Sequence, residues 1–270
     1  MTDSAIGLAR TLLFVPGCRP ERFAKALAAQ PDMVVLDLED AVPAEQKDRA
    51  RQEVGAWLAA GNAAAVRING VGTSWHSSDL DLMAEVGAPV MLPKAEEPDA
   101  VADATRGGRL GIIALIETAA GVLAAPKIAE VPGVHRLAFG HIDFCAQLGV
   151  DPGDRDSLLA ARIALVLASA AAGLSAPADG VTTALNDSNM LRDDIRYARR
   201  LGFGAKLCIH PAQVDVVHEA MLPSAVEVEW ARRIVSVSGP RDAAVTVDGQ
   251  MVDAPVVKRA QRILAAMSRN

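Results

Sequence analysis

Residues 111–143 read GIIALIETAAGVLAAPKIAEVPGVHRLAFGHID, and two apolar runs in this stretch decide the predicted fold. The first run, GIIALI, is rich in branched aliphatic residues and carries no charge, which is typical of a strand buried on both faces. A helix of small residues follows, and VHRLAFG then predicts a second strand. If these strands are parallel neighbours, Glu117 and Asp143 emerge at the same end of the sheet. Two carboxylates that meet there would suit a hard divalent cation.

Strand-like runs recur along the chain at intervals of roughly 25 to 30 residues, with alanine-rich helical segments between them. The pattern predicts an α/β fold in which eight parallel strands close into a (β/α)8 TIM barrel, with a doubly wound open sheet as the alternative. Most runs end in a charged or turn-forming group, which favours the barrel because its active sites lie at that end of the strands. The eight runs are TLLFVPG, MVVLDLED, AAVRING, PVMLPKA, GIIALIET, VHRLAFGHID, ADGVTTAL and AKLCIHP, of which the seventh is the weakest because it is short and polar.

Residues beyond Pro211 are not needed to complete eight strands, yet the chain continues with further predicted structure. We expect a helix near SAVEVEWARRIVSV, a hairpin in AVTVDGQMVDAP with Asp248 and Gly249 as its turn, and a helix in VVKRAQRILAAM. The sequence therefore predicts a barrel domain at residues 1–222 and a C-terminal helix-hairpin-helix extension at residues 223–270. Such an extension usually serves as a lid or as a subunit interface.

The composition limits the classes of function that need to be considered. The net charge is -6 and no basic tract is dense, which argues against a nucleic-acid partner. The three cysteines are scattered and lack CxxC spacing, so neither disulfides nor a zinc cluster is expected. The N-terminus lacks the pattern of a secretion signal, and no apolar run reaches the ~18 residues of a membrane span. These observations predict a cytoplasmic protein without a membrane partner.

Three acids, Asp37, Glu39 and Asp40, end the second strand run. Strand alternation sends Asp37 and Glu39 to one face and Asp40 to the other. One interpretation is a solvated strand end, and the other is an acidic shell that holds the waters bound to a cation. Asp37 could equally be a structural partner of Lys94, which ends the fourth run.

Arg67 ends the third run, in VRING, where it could be a surface arginine or part of a salt bridge at the barrel rim. Opposite a bound cation, however, its guanidinium would suit a substrate carboxylate, which it can hold with two parallel hydrogen bonds. Lys94 has the matching position in the fourth run. An ion pair with the neighbouring acids and a catalytic role are both open for this lysine.

The segment after the first strand offers a weak candidate for an anion site. Gly17 and Arg19 precede the N-terminus of a predicted helix, a position that favours phosphate, and Lys25 lies further along it. The glycine-rich fingerprints of phosphate cradles are absent. The histidines do not have metal-ligand spacing and are expected to be mostly structural, although His141 is close to Asp143 and could line the site.

Eight motifs, taken together, resemble one known family. In order they are LFVPG-x-RPERF, LDLEDAVP, VRING, LPKAE, ALIETAAG, LAFG-x-IDF, GFGAKLCIHPAQV and G-x-MVDAP. The sequence is similar to the citrate lyase β-subunit-like branch of the HpcH/HpaI aldolases, a group of CoA-ester lyases that includes malyl-CoA and citramalyl-CoA lyases. The resemblance extends over nearly the whole chain. It implies a (β/α)8 barrel, a homotrimer or hexamer, and a small-molecule CoA thioester as substrate.

The resemblance also implies roles for individual residues. Mg2+ would be bound by Glu117 of the IET motif and Asp143 of the FGxxD motif, with Glu39 contacting the ion through water. Arg67 would hold the carboxylate of the oxo acid or hydroxy acid. Asp253 of the MVDAP motif would reach over the active site of a neighbouring subunit and act as the catalytic acid or base.

Further contacts follow from the same resemblance. Gly140, Asp37 and Lys94 would lie against the substrate. Arg19 and Lys25 would contact the phosphates of CoA, which arrives as part of the substrate.

The implied reaction is a retro-Claisen cleavage of a 3-hydroxyacyl-CoA to acetyl-CoA and a 2-oxo acid. Two segments, FGHIDF and DGVTTALND, resemble the sequences of the citramalyl-CoA lyase-like branch more closely. This resemblance favours a free CoA thioester over a carrier-bound one as the substrate, and pyruvate over glyoxylate as the product. The alternatives are a citrate lyase β subunit that forms oxaloacetate, a malyl-CoA thioesterase, an aldolase acting on a free hydroxy-keto acid, and a non-catalytic scaffold barrel.

Overall fold

Strands and helices alternate through most of the chain, as the sequence predicts. The computed structural model describes residues 3–237, 245–247 and 250–267. The strands of the main sheet are β1 (Thr11–Pro16), β2 (Met33–Asp37), β3 (Ala65–Arg67), β4 (Val90–Leu92), β5 (Ile112–Ile116), β6 (Val134–Phe139), β7 (Ala178–Asp179) and β8 (Ala205–Cys208).

Helices follow the strands and cover the outside of the sheet. They are α1 (Asp3–Leu8), α2 (Phe23–Ala28), α3 (Lys47–Ala59), α4 (His76–Val86), α5 (Pro98–Ala104), α6 (Ala119–Ala129), α7 (His141–Leu148), α8 (Arg155–Ala171), α9 (Ser188–Leu201) and α10 (Gln213–Met221), with short 3-10 turns at Pro20–Arg22 and Ala44–Gln46. Among the described helices, none is both long and apolar enough to cross a membrane.

The sheet closes on itself, because every strand pairs in parallel with its sequence neighbours and β1 also pairs with β8. This closure confirms the predicted (β/α)8 barrel and excludes the open-sheet alternative. The predicted run VHRLAFGHID is divided between β6, which ends at Phe139, and α7, which begins at His141. Asp143 therefore lies in the first turn of a helix and not at a strand end.

The barrel interior is filled by apolar side chains from alternate strand positions, as expected for strands whose successive side chains point to opposite faces. Because the inward residues are small or aliphatic, the middle of the barrel is a packed core and polar groups collect at its ends. The members of this cluster on the strands are Leu12, Met33, Val35, Ala65, Met91, Ile113, Leu115, Ala138, Ala178, Ala205 and Leu207.

One charged side chain, that of Arg136 on β6, is buried at the N-terminal end of the barrel with 2% of its surface exposed. Its guanidinium donates hydrogen bonds to the main-chain oxygens of Ile6, Ala9 and Ala176. Burial lowers the pKa of Arg136 to about 10. The side chain thus ties α1 and the segment before β7 to the barrel, at the end opposite the expected site.

Replacing Arg136 by Met should destabilise the fold, because it would leave three carbonyl oxygens without their donor. Each orphaned buried acceptor costs about 1–3 kcal/mol, so we expect the free energy of unfolding to fall by about 3 kcal/mol or more. Urea unfolding followed by circular dichroism measures this change. Arg49→Met on the exposed side of α3 is the control, and a loss for Arg136→Met no larger than the control's would contradict the prediction.

The chain divides into two compact units between His218 and Glu219, slightly before the boundary predicted at residue 222. The second unit contains α11 (Ala225–Val237), an antiparallel pair of β9 (Val245–Val247) and β10 (Gln250–Val252), and α12 (Ala254–Met267). A small apolar cluster joins these elements, with Ala231, Ile234, Val252 and Ala260 at its centre. The helix-hairpin-helix extension is confirmed. Its predicted turn at residues 248 and 249 lies outside the described residues.

Candidate active site

A cavity of about 330 Å³ opens at the C-terminal end of the barrel strands. Its polar lining includes Arg67 from β3, Glu117 after β5 and Asp143 from α7. The cavity therefore brings together the arginine and the two carboxylates that the sequence singled out. Its other walls are largely apolar and are formed by Phe14, Leu115, Ile142, Val181, Leu207 and Ile209.

Arg67 is held in place by Asp37, which lies opposite it in the register of β2 and β3. The guanidinium Nε donates to Asp37 Oδ1 at 2.7 Å and Nη2 donates to Asp37 Oδ2 at 2.6 Å. The edge of the guanidinium that Nε and Nη2 form is therefore occupied by Asp37. The ring of Phe14 lies 5.1 Å from the guanidinium carbon. The outer edge, formed by Nη1 and Nη2, also faces acids, because Nη1 donates to Asp40 Oδ2 at 3.5 Å and lies 3.1 Å from Glu39 Oε2. A substrate carboxylate at this edge would compete with these two side chains.

Asp37 has little capacity left for a substrate. Only 2% of its surface is exposed, and its oxygens also accept the backbone N–H groups of Glu39 and Ala41. The hydrogen bonds and charge of Asp37 and its acidic neighbours raise the pKa of Arg67 even though burial opposes the charged form. The interpretation of Asp37 as the partner of Lys94 is wrong, because its charged partner is Arg67.

Glu39 is buried beside Arg67 and presents an oxygen without a hydrogen-bond donor. Arg67 Nη1 lies 3.1 Å from Glu39 Oε2, but no hydrogen bond forms, and this buried oxygen has no other partner. Lys94 Nζ lies 3.4 Å from the other oxygen, Oε1. Burial raises the pKa of Glu39 above its ordinary value. A water or another donor in the site would satisfy the free oxygen.

Lys94 orients Glu117 through its backbone. Lys94 has φ +48°, a left-handed conformation that is uncommon for residues other than glycine. In this conformation its N–H donates to Glu117 Oε1 at 2.9 Å. One oxygen of Glu117 is therefore fixed by the protein, and the ammonium group of the same lysine faces Glu39.

Gly140 makes room for the Glu117 carboxylate. A Cβ atom at position 140 would lie 2.6 Å from Glu117 Oε2 and 2.5 Å from Glu117 Cβ, which is closer than side-chain atoms approach. The glycine of the FGxxD motif is thus required by the packing of the glutamate from the neighbouring strand. It also ends β6 and allows α7 to begin immediately.

Glu117 and Asp143 have the chemistry of a divalent-cation site. Both carboxylates line the cavity, and their mutual charge contributes to the pKa shift of Glu117. In the part of the chain that the structure describes, no group of three or more His, Cys, Asp or Glu side chains is arranged to hold a metal. Two carboxylates suit Mg2+, which usually keeps several waters and takes only one or two protein carboxylates.

Burial, followed by the charge of Glu39, raises the pKa of Glu117 from the ordinary 4.5 to about 8. Between pH 4.5 and pH 8, Glu117 is therefore protonated in the folded metal-free protein but deprotonated in the unfolded chain. The folded state is stabilised by this bound proton, and that stabilisation is lost as the pH rises from 4.5 to 8. We expect the free energy of unfolding in EDTA to fall from pH 4.5 toward pH 8, and to fall less steeply in Glu117→Gln.

Urea unfolding at several pH values checks this expectation, and equal slopes for the two proteins would contradict it. Added Mg2+ should also stabilise wild type most at the upper end of the window, because a metal ion binds the deprotonated carboxylate.

Comparison with known proteins gives this site its context. Residues 10–211 match the family described as HpcH/HpaI aldolase/citrate lyase. The chain belongs to this family. A citrate lyase subunit beta-like protein of Mycobacterium tuberculosis is 38% identical over 259 residues, which cover 93% of each chain. A (3S)-malyl-CoA thioesterase of Cereibacter sphaeroides is 32% identical over 267 residues, which cover 95% of this chain and 93% of that protein.

Solved structures of related proteins share the fold. The crystal structure of CitE from Mycobacterium tuberculosis in complex with magnesium, acetoacetate and coenzyme A has a TM-score of 0.86 at 36% identity, over 97% of this chain and 98% of that one. A structure of CitE from the same organism with magnesium and pyruvate has a TM-score of 0.77 at 34% identity, over 95% of this chain and 98% of that one. The predicted family, the TIM barrel and a citrate lyase β-like enzyme are therefore confirmed.

A second cavity, of about 340 Å³, adjoins the first and shares Phe14, Pro16 and Ile209 with it. Its basic side chains are Arg22, Lys25 and His210. Lys25 thus faces a cavity next to the candidate site, and its contact with phosphate stays a prediction. Arg19 lines neither cavity and instead pairs with Glu21, with 2.6 Å between Arg19 Nε and Glu21 Oε1. Sequence reasoning did not single out Arg22.

Asp253, in the second unit, immediately precedes α12. Its Oδ1 accepts the N–H of Val256 at 3.3 Å and its carbonyl oxygen accepts the N–H of Val257 at 3.0 Å. The side chain is partly exposed. The cap fixes the direction of the helix and leaves the carboxylate accessible.

Proposed function

We propose that this protein is a Mg2+-dependent carbon-carbon lyase that cleaves a 3-hydroxyacyl-CoA of the citramalyl-CoA or malyl-CoA type to acetyl-CoA and a 2-oxo acid. One observation carries the proposal: the anchored guanidinium of Arg67 faces the same cavity as Glu117 and Asp143. This arrangement offers one site for a substrate carboxylate and one for a cation that activates the adjacent hydroxyl.

The residues present fit Mg2+. Glu117 and Asp143 would hold the ion, and the unpartnered oxygen of Glu39 would accept a hydrogen bond from a water beside it. The related CitE structures that contain magnesium support this assignment. When bound, Mg2+ supplies Lewis-acid polarisation of a substrate oxygen and lowers the pKa of a coordinated hydroxyl.

The chain's own residues orient the substrate and move its protons. The outer edge of Arg67 binds the carboxylate next to the hydroxyl-bearing carbon, which displaces the long 3.5 Å contact of Nη1 with Asp40, while Asp37 keeps the guanidinium in its plane. The hydroxyl proton leaves to a base, the hydroxyl carbon becomes the carbonyl of the oxo acid, and the electron pair of the broken carbon-carbon bond remains on the thioester fragment as an enolate. We assign the proton that converts this enolate into acetyl-CoA to Asp253 of a neighbouring copy. This assignment requires a homo-oligomer, for which we propose a trimer or hexamer.

The cavity favours an oxo-acid half that has one carboxylate and an apolar substituent. Among the described residues that line it, Arg67 is the only cationic side chain, and the acids Asp37, Asp40, Glu117 and Asp143 surround it. The second carboxylate of a citryl group would meet either these acids or the apolar wall. A methyl group would instead pack against the wall, so we favour citramalyl-CoA and pyruvate over citryl thioesters and oxaloacetate.

The second cavity suits the CoA portion. Arg22, Lys25 and His210 place basic groups beside the catalytic cavity, where the phosphates of CoA would extend from a bound thioester. The related CitE structure with coenzyme A supports a CoA-linked substrate. Arg19, which pairs with Glu21, would have to leave that partner to contribute.

A malyl-CoA thioesterase is the second candidate, because a protein of that name is 32% identical over almost the whole chain. The same cavity would then direct water at the thioester carbonyl. Hydrolysis yields a free hydroxy acid and CoA, whereas cleavage yields acetyl-CoA and an oxo acid. Product identity therefore separates the two reactions.

The test is incubation of the purified protein with (S)-citramalyl-CoA and, separately, with malyl-CoA, in Mg2+ or in EDTA. Chromatography of the thioesters and assay of the oxo acids follow the products. Mg2+-dependent release of pyruvate and acetyl-CoA is the expected result. Glyoxylate alone would overturn the preference for citramalyl-CoA, free hydroxy acid without oxo acid would indicate the thioesterase, and no turnover would favour a non-catalytic barrel.

A further inference from the structure

His141 is a buried side chain in the wall of the catalytic cavity, with 6% of its surface exposed. It is the first residue of α7 and follows Gly140, which packs on Glu117. The mechanism described above does not use it. The ring also borders a neighbouring cavity of about 480 Å³, so it forms part of the partition between two cavities.

One ring nitrogen of His141 packs against the main chain of Gly180, which directly follows β7. A Cβ atom on Gly180 would lie 2.0 Å from His141 Nδ1, so the ring packs directly against the glycine at the end of that strand. Nδ1 is buried and has no hydrogen-bond partner among the described residues. A proton on Nδ1 would point into this contact, whereas a bare lone pair fits there. This packing favours the tautomer that carries the ring proton on Nε2.

The other nitrogen, Nε2, makes no hydrogen bond to any residue that the structure describes. Unlike Nδ1, Nε2 is not among the buried atoms without a partner, so it is open to a cavity that the ring borders. Because His141 lines the catalytic cavity, a molecule in that cavity can supply the acceptor. Nε2 carries its proton whether the ring is neutral or charged, so this donor does not depend on the ionisation of the histidine.

The cavity has few donors to offer a substrate. Among its described lining side chains, only Arg67 and His141 carry N–H groups, and none carries a hydroxyl. Arg67 contacts the acids at the end of β2 and, in the proposed reaction, the carboxylate of the oxo-acid half. The thioester half is left with His141 as its side-chain donor.

We propose that His141 Nε2 donates a hydrogen bond to the thioester carbonyl oxygen of the substrate. This inference rests on the proposed lyase function. When the carbon-carbon bond breaks, its electron pair is delocalised onto this oxygen as the enolate forms, and the oxygen loses the charge when the α-carbon is protonated to give acetyl-CoA. A fixed donor aimed at such an oxygen stabilises the transition state more than the ground state.

The test compares His141→Phe with His141→Gln. Phenylalanine keeps a planar ring in the wall and removes the donor, whereas glutamine keeps an N–H group. We expect His141→Phe to lower kcat by about 10²–10³-fold with a much smaller change in KM, as for loss of one donor to a developing oxyanion. We expect the kcat of His141→Gln to be at least about tenfold higher than that of His141→Phe.

Two further measurements separate this role from a structural one. Binding of Mn2+ by calorimetry should be unchanged in His141→Phe, because Glu117 and Asp143 remain. Exchange of the methyl protons of acetyl-CoA with deuterium oxide in the presence of the oxo acid should fall in parallel with kcat, because it also passes through the enolate.

The outcomes are distinct. An unchanged kcat in His141→Phe would overturn the inference and would mean that the ring of His141 only packs in the wall of the cavity. Equal losses in the Phe and Gln variants, or loss of Mn2+ binding, would also overturn it. Absence of turnover by wild type on either thioester would instead overturn the proposed function, and the inference with it.

Discussion

Replacing Asp143 by Asn is expected to lower kcat/KM by more than about a hundredfold at any Mg2+ concentration that can be reached. Loss of a partner that only supports the metal ligands already costs 10–100-fold, and the proposed role of Asp143 is direct. The amide keeps the size of the side chain in the first turn of α7 but removes the charge. Lyase assays over a range of Mg2+ concentrations measure the effect, and Mn2+ calorimetry should show weakened binding.

Asp215→Asn is the matched control, because Asp215 is an exposed aspartate in the first turn of α10. It should behave as wild type in both assays. If Asp143→Asn kept wild-type kcat/KM and Mn2+ affinity, Asp143 would not be a metal ligand and the proposed site would be wrong.

Replacing Arg67 by Met should lower both the stability and the activity of the protein. Asp37 is almost fully buried and gives both of its oxygens to Arg67, so the substitution leaves a buried charge without its counter-ion. Breaking a buried pair in this way costs about 3–5 kcal/mol. We expect the free energy of unfolding in urea to fall by this amount and the lyase activity to be lost.

A double-mutant cycle separates the charge effect from lost packing against Phe14. Adding Asp37→Asn to Arg67→Met removes the unpaired carboxylate, so the double variant should be more stable than Arg67→Met alone. Additive losses from the two substitutions would show that the pair contributes no coupling.

The barrel was predictable because its signals are local. Runs such as GIIALIET combine branched apolar residues with a polar last position, and eight repeats of that pattern have few other solutions. The exact ends of the strands were less predictable. The chain passes at Gly140 directly from β6 into α7. Asp143 therefore lies in a helix and not at the predicted strand end.

The partners within the site depend on register and backbone conformation, which sequence patterns do not contain. Pairing of β2 with β3 places Asp37 opposite Arg67, and this pairing decides which of two basic residues Asp37 meets. Lys94 adopts a left-handed conformation that its residue type does not suggest, so its backbone contact with Glu117 could not be foreseen. The setting of His141 likewise depends on Gly180, which is distant in sequence.

The acid-rich mouth of the barrel has a consequence for the kinetic mechanism. Five carboxyl groups, those of Asp37, Glu39, Asp40, Glu117 and Asp143, stand there with three basic side chains, Arg67, Lys94 and Lys47, and burial raises the pKa of Glu117 to about 8. An anionic thioester that approaches the metal-free site meets more acidic than basic groups, and a divalent ion bound there adds positive charge that reduces the repulsion. Addition should therefore be ordered, with the metal first, and initial-rate patterns should show substrate affinity that improves as Mg2+ approaches saturation.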